Sequence, residues 1–255
     1  LIAFSAFSLS ASAIYIFNDY HDIKDDRKHP KKKHRPLAAG LINKNTALLL
    51  MIILLIIGLI LMAYVSVNSL IFLIIYVFLN ILYSLKLKRV ALLDVTIIGV
   101  GFVLRLYTGS FAYDVSLKVW IVIMTFLLSL FLALAKRRDD ILILNKSGNK
   151  MRKSIDGYNL ALIDGAMLIM SAVVIVAYLQ YTTSQEIIEK FDNESLYLTT
   201  LFVIFGIMRY LQMTFVKKNS GSPTEIILKD KVMQINLLLW FLSFIWIIYV
   251  VPNFL

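Results

Sequence analysis

The sequence predicts an all-α, polytopic membrane protein. Three observations carry that prediction. Of the 255 residues, 60% are hydrophobic. Apolar runs of about 20 residues, the length of a membrane-spanning helix, recur along the whole chain. Lys and Arg gather in every second loop. Lipid leaves only helices and closed barrels open to a spanning chain, and these runs are too long and too continuously apolar for barrel strands.

Eight segments follow in order: 1–17, 46–66, 69–85, 91–112, 117–135, 160–181, 196–216 and 234–251. The first ends where the charged stretch at Asn18 begins. Segments two to four are parted only by the neighbourhoods of Asn68 and of Lys86 to Arg89, so their boundaries are the weakest. The fifth ends at Lys136. The sixth follows the basic loop 146–153, the seventh an acidic loop at 185–194, and the eighth a short amphipathic element, SPTEIILKDK, at 222–231. No linker or low-complexity tract divides the chain, which reads as a single domain, 1–255. It opens at Leu1 inside an apolar run with no initiator Met, so an N-terminal truncation is expected.

Alternate loops give the orientation. Stretches 18–45, 86–89, 136–153 and 217–231 hold 22 Lys and Arg; the intervening loops hold only Lys118 and Lys190. The basic side is therefore expected to face the cytoplasm of a cell membrane. The net charge of +10 lies in these loops, so it reads as topology and not as a nucleic-acid surface. The chain has no Cys, which excludes disulfides, thiol catalysis and Cys-based zinc sites. His21, His29 and His34 have no zinc-ligand spacing, and there is no P-loop, GxSxG or dinucleotide fingerprint.

The chemistry concentrates in Asn18 to Gly40, NDYHDIKDDRKHPKKKHRPLAAG. If the first helix continues for two more turns, Asp19, Asp22 and Asp26 share one face and Asp25 points elsewhere. Stacked carboxylates at a helix C-terminus oppose the dipole and one another, so something cationic should sit against them. Hard oxygen ligands suit Mg²⁺, which shares its shell with substrate phosphates. The bases from Arg27 to Arg35 are placed to hold further phosphate oxygens. An ordinary basic cytoplasmic loop would explain the Lys run, but not Asp residues at helical spacing beside it.

A second charged insert is LALAKRRDDILIL, 132–144. Lys136 and Asp140 are four apart and can share a face, with Arg137 and Arg138 widening the patch; the alternative is a basic stop at the membrane interface. In YSLKLKRVALLD, 83–94, Tyr83 and Lys88 suit phosphate contacts. Asp94 suits either orienting Lys88 or Arg89 or capping the next helix. Arg105 and Arg209 lie in apolar segments, where a charge should face a wet interior or snorkel to an interface. Asp164 reads as a helix cap. The three Trp residues fit interface or packing roles.

The long motif, NDxxDxxxDRxHPxKxxRPLAAG, resembles the first Asp-rich motif of the UbiA-type membrane prenyltransferases, and the likeness runs over nearly the whole chain. Within that superfamily the sequence is most similar to the decaprenyl-phosphate phosphoribosyltransferase branch. Most UbiA-type enzymes carry a second motif of the DxxxD kind where this chain has Lys136 to Asp140, and the KRR-plus-acid pattern is that branch's own. The resemblance implies a UbiA-like helical bundle around a central cavity, with nine helices in the full chain and the two charged motifs facing one another across it. It implies Mg²⁺ on Asp19, Asp22 and Asp26 with Asn18 assisting. Phosphate or pyrophosphate would rest on Lys32, Arg35, Lys88, Lys136, Arg137 and Arg138. Tyr83, Asp140 and Tyr158 would belong to the substrate site, and Asp230 or Lys231 would be within reach of the cavity.

The implied reaction moves a 5-phosphoribosyl group from phosphoribosyl pyrophosphate to a polyprenyl phosphate, whose tail would lie in a membrane-facing groove. The alternative is prenyl transfer from a polyprenyl diphosphate to an aromatic or other acceptor, which a second DxxxD motif would have favoured. A non-catalytic transporter would instead place charges near the bilayer midplane or break its helices there. Here they concentrate at the cytoplasmic ends.

Overall fold

The computed structural model of the chain describes residues 1–27, 32–147, 153–217 and 223–250. Among them every regular element is helical. The chain groups into two compact units: Leu1–Leu117 with Met151–Gly157, and Lys118–Lys150 with Tyr158–Leu255.

The first unit holds α1 (Ile2–Asp26), α2 (Lys44–Val65), α3 (Val67–Leu85) and α4 (Leu93–Tyr113). α1 meets α2 through small residues, Ala6 and Ser10 being fully buried. A Cβ at Gly58 of α2 would collide with the Ser10 hydroxyl and lie 2.8 Å from the Ala6 carbonyl. Glycine thus sets how closely the two backbones approach, the usual device where apolar side chains gain nothing from leaving lipid. The Ser10 hydroxyl donates to the Ala6 carbonyl at 3.0 Å, so no polar group is stranded at the contact. Phe7, Ile14, Met62, Leu73, Tyr76 and Leu104 complete this core. The break that hydropathy placed near Asn68 falls at Ser66, one extended residue whose side chain caps α3 by accepting from the Ser69 N–H. A turn this short leaves almost no polar signal.

The second unit holds α5 (Val119–Ser147), α6 (Leu160–Thr182), α7 (Gln185–Phe191), α8 (Thr200–Phe215), α9 (Pro223–Lys229) and α10 (Lys231–Tyr249). α5 lies along α6, and α8 packs on α10. Buried polar groups tie these helices together. Trp240 Nε1 donates to the Tyr178 hydroxyl at 2.9 Å, that hydroxyl also bonds Thr199 at 2.8 Å, and Asn236 donates to the Phe202 carbonyl at 2.9 Å. Trp240 is therefore a packing residue. The acidic loop expected at 185–194 contains α7, whose Ile187 is buried.

Among the described residues, seven helical stretches are long and apolar enough to cross a membrane: α2, α3, α4, most of α5, α6, Glu194–Phe215 and α10. Their outer faces carry exposed apolar side chains, such as Ile52, Ile53, Ile56, Ile57 and Ile60 on α2, as lipid contact requires. The remaining segment drawn from the sequence, the first, is α1. It is rich in Ala and Ser and ends in charge, which keeps it out of that set. A second difference concerns the fifth segment. α5 does not stop at residue 135 but runs to Ser147, because Lys, Arg and Asp at helical spacing continue a helix beyond its apolar part.

Candidate active site

α1 runs unbroken through Asp26. Its last turns present Asp19, Asp22 and Asp26 to protein cations, while Asp25 is exposed. The chain after α1 folds back upon it. Arg27 Nε donates to the Ala38 carbonyl at 3.0 Å, and Leu37 and Ala47 pack with Ile23. The turn closes through Gly40, whose φ of 76° favours glycine. Asn43 then caps α2. This strap brings Arg35 against the carboxylates. Its Nη1 donates to Asp19 at 2.6 Å and to Asp26 at 2.9 Å. Lys32 Nζ lies 3.8 Å from Asp26, which is only 3% exposed. Residues 28–31, including His29 and Pro30, lie outside the described residues.

Lys88 sits in a 3-10 turn, Leu87–Arg89, between α3 and α4. Its Nζ donates to Asp22 at 2.5 Å and to the Asn18 side-chain oxygen at 3.1 Å. Three carboxylates and three cations thus interlock at the end of α1. The cationic partner that the dipole argument demanded is supplied by the protein itself. Burial pushes the Asp19 carboxyl above its ordinary range; Arg35 pulls it down, and Asp26 and Asp22 push it up again. The carboxylates therefore feel one another.

Among the described residues, no three His, Cys, Asp or Glu side chains stand close enough together to hold a metal as they are. Arg35, Lys32 and Lys88 lie against these carboxylates instead. The donor set still fits a hard divalent ion, because Mg²⁺ commonly takes only one or two carboxylates and completes its shell with water and substrate phosphate. Tyr83 is half-buried on the last turn of α3. Asp94 is not a helix cap: Leu92 occupies that position, and Asp94, fully buried, accepts from the Ser154 hydroxyl at 2.8 Å.

In the second unit the KRRDD stretch lies inside α5. Lys136 is exposed, whereas Arg137 and Arg138 are buried. Arg137 pairs with Asp140 at 3.6 Å. Arg138 donates to Asp164 from Nε at 2.7 Å and from Nη2 at 3.4 Å. Its Nη1 donates to the Thr214 carbonyl at 2.7 Å, and it stacks over Phe215. Asp164 is accordingly no cap; Asn159 caps α6 by accepting from the Leu162 N–H at 2.7 Å. Tyr158 is buried.

Arg105 stacks on Phe7 and Phe102, 5.0 and 5.2 Å from the ring centroids. It lines a cavity of ≈ 450 Å³ between α1 and α4. Arg209 donates to Asp230 at 2.7 Å. That bond, with the Met233 N–H, holds the Asp230 carboxyl below its usual range, and Asp230 caps α10. It thereby joins α8 to α10.

Asp164 and Ser154 are the residues whose roles sequence reasoning missed. A signal existed for Asp164, an ionisable group within an apolar helix, which ordinarily has a named partner. The partner lies 26 positions away, beyond any local spacing rule.

The profile of the UbiA prenyltransferase family matches residues 1–238. A decaprenyl-phosphate phosphoribosyltransferase of Mycolicibacterium smegmatis is 31% identical over 245 residues, 94% of this chain and 77% of that protein. A protein of the same description from Corynebacterium glutamicum is 29% identical over 255 residues, 99% of this chain and 76% of its own. Among solved structures, a UbiA homolog from Archaeoglobus fulgidus bound to GPP and Mg²⁺ superposes with a TM-score of 0.71 at 17% identity, covering 94% of this chain and 83% of that one. A structure described as digeranylgeranylglyceryl phosphate synthase gives 0.63 at 24% identity, covering 95% and 84%.

Proposed function

The chain belongs to the UbiA prenyltransferase family, and from that premise we propose that it transfers a 5-phosphoribosyl group from phosphoribosyl pyrophosphate to a polyprenyl phosphate lipid. The observation that carries the choice is the second motif. Where a DxxxD pattern would offer carboxylates, this chain offers Lys136, Arg137 and Arg138. The relatives described as decaprenyl-phosphate phosphoribosyltransferases support the same choice.

In the reaction, a phosphate oxygen of the lipid forms a bond to the anomeric carbon of the ribose as the bond to pyrophosphate breaks. The attacking oxygen is already anionic, so no strong general base is needed. Asp19, Asp22 and Asp26, with Asn18 beside them, would hold a divalent ion, which would supply positive charge to the leaving pyrophosphate. Lys88, Arg35 and Lys32 lie against those carboxylates and donate to phosphate oxygens where charge develops. Lys136, exposed on α5, holds a second phosphate. Arg138 is held by Asp164 and the Thr214 carbonyl, and Arg137, paired with Asp140, keeps one buried nitrogen, Nη2, without a hydrogen-bond partner among the described residues.

Lys136→Ala raises the Michaelis constant for phosphoribosyl pyrophosphate roughly tenfold, the worth of one charge-assisted contact, and leaves that for polyprenyl phosphate within about twofold. Steady-state rates with each substrate varied in turn check this. An equal rise in both constants removes the donor phosphate from Lys136.

The site faces the cytoplasm of the cell membrane in this reading. Lys33→Cys, an exposed position in a chain without Cys, stays unlabelled by a membrane-impermeant thiol reagent in intact cells and reacts after permeabilisation. Labelling from outside reverses the orientation.

A further inference from the structure

The interlocked charges at the end of α1 have a consequence for how ligands enter. Asp19, Asp22 and Asp26 are matched by Arg35, Lys88 and Lys32, with Arg35 bridging two carboxylates and Lys88 bridging Asp22 and Asn18. Counted as three against three, the cluster is neutral without any ligand. Its inner half is shielded from water: the side chains of Lys88, Asp22 and Asp26 are 14%, 21% and 4% exposed, whereas those of Arg35, Lys32 and Asp19 are more open, at 35%, 33% and 27%. A charge added here is screened less than at an open surface.

Resting on the proposed role of these carboxylates, we infer that Lys88 and Arg35 make divalent-metal binding conditional on a pyrophosphate group. A metal ion entering alone must displace a cation from each carboxylate it takes. It then leaves that cation, and its own charge, uncompensated in a poorly hydrated place. A pyrophosphate entering alone meets carboxylates that still hold the cations it needs. When both arrive together, the metal takes carboxylate oxygens, and the displaced Lys88 and Arg35 turn to the phosphate oxygens. Every charge then keeps a partner. Metal and pyrophosphate each raise the affinity of the other, and by linkage the factor is the same in both directions. The site thereby discriminates against free metal and against metal-free donor.

The pairing is specific in its parts. Lys88 comes from the turn after α3 and Arg35 from the strap after α1, so two separate segments each carry one releasable cation. Asp25, exposed one position from Asp26, takes no part in this pairing.

The test uses the purified full chain in detergent, with Mn²⁺ as a paramagnetic probe and inorganic pyrophosphate as the second ligand. The readout is bound Mn²⁺ by electron paramagnetic resonance, independent of turnover. The wild-type protein binds Mn²⁺ at least about tenfold more tightly with saturating pyrophosphate than without, after correction for metal complexed in solution. Lys88→Met, which keeps length and loses charge, binds Mn²⁺ alone about tenfold more tightly than wild type, and pyrophosphate adds little. Lys88→Arg retains the wild-type coupling, so loss of charge and not loss of fold is what is read; Arg35→Gln repeats the Lys88→Met pattern from the other segment. Unchanged or weaker binding of Mn²⁺ alone by both neutral variants overturns the inference. Asp22→Asn separates the two levels. If it loses Mn²⁺ while the neutral variants fail to tighten, the metal site stands and the coupling falls. If it binds Mn²⁺ as wild type does with pyrophosphate present, the metal assignment itself falls, and the coupling with it.

Discussion

Asp22→Asn lowers the transfer rate by roughly 100-fold, the scale on which enzymes lose rate when one group that stabilises developing charge is removed, whereas Asp25→Asn stays within about twofold of wild type. The two residues are three apart in sequence and identical in chemistry, so the contrast reads geometry alone. Asp22 is half-buried and accepts from Lys88; Asp25 faces solvent on the same helix. Asn preserves volume and one acceptor, which confines the change to charge. Initial rates at saturating divalent ion measure the effect, with thermal melting alongside. Comparable losses at both positions would mean that the carboxylates act as a diffuse acidic patch and not as a register-specific face.

The second large effect falls on stability. Arg138→Ala destabilises the protein by roughly 3 kcal/mol, because removing one partner from a buried, hydrogen-bonded ion pair leaves the other without compensation. Arg138 is 6% exposed and donates to Asp164 and to the Thr214 carbonyl, so it ties α5 to α6 and α8. Asp164 is partly open to water, with 32% of its side chain exposed, which keeps the figure at the lower end of that range. Asp164→Ala alone costs less. The double variant recovers part of the loss, since the two residues share one interaction. Thermal unfolding in detergent reads all three. If Arg138→Ala melted as wild type and only raised the Michaelis constant for the donor, its guanidinium would belong to substrate.

These residues show how far sequence carries and where it stops. The extension of α1 to Asp26 and the shared face of Asp19, Asp22 and Asp26 were legible, because helical periodicity is a local property of the chain. So were the membrane-spanning helices, whose length and hydropathy are set by lipid. The neutralisation of those carboxylates by Arg35 and Lys88 was legible only as a requirement. Which cation met which acid depended on a strap closed by Arg27, Leu37 and Gly40, and on a turn 66 residues away. The surroundings of Arg138 were hidden for a related reason. KRRDD reads as a basic loop when judged by composition, yet α5 runs through it and buries two of its three cations among partners on α5, α6 and α8. Asp94 and Asp164 each had a cap-like position in the sequence. Neither serves as a cap, because Leu92 and Asn159 stand at those places on α4 and α6. Local rules name candidates for such roles; long-range packing chooses among them.

The central claim is the identity of the donor and the acceptor, and one measurement addresses both. The purified protein is incubated with Mg²⁺, phosphoribosyl pyrophosphate labelled in the ribose, and unlabelled polyprenyl phosphate, and the mixture is extracted into organic solvent. Phosphoribosyl transfer carries the label into the organic phase in amounts that depend on the lipid phosphate, and Asp22→Asn lowers its rate by roughly 100-fold. Label that stays in the aqueous phase, while a labelled polyprenyl diphosphate is consumed in the presence of an aromatic acceptor, would contradict the assignment and make the chain a prenyltransferase.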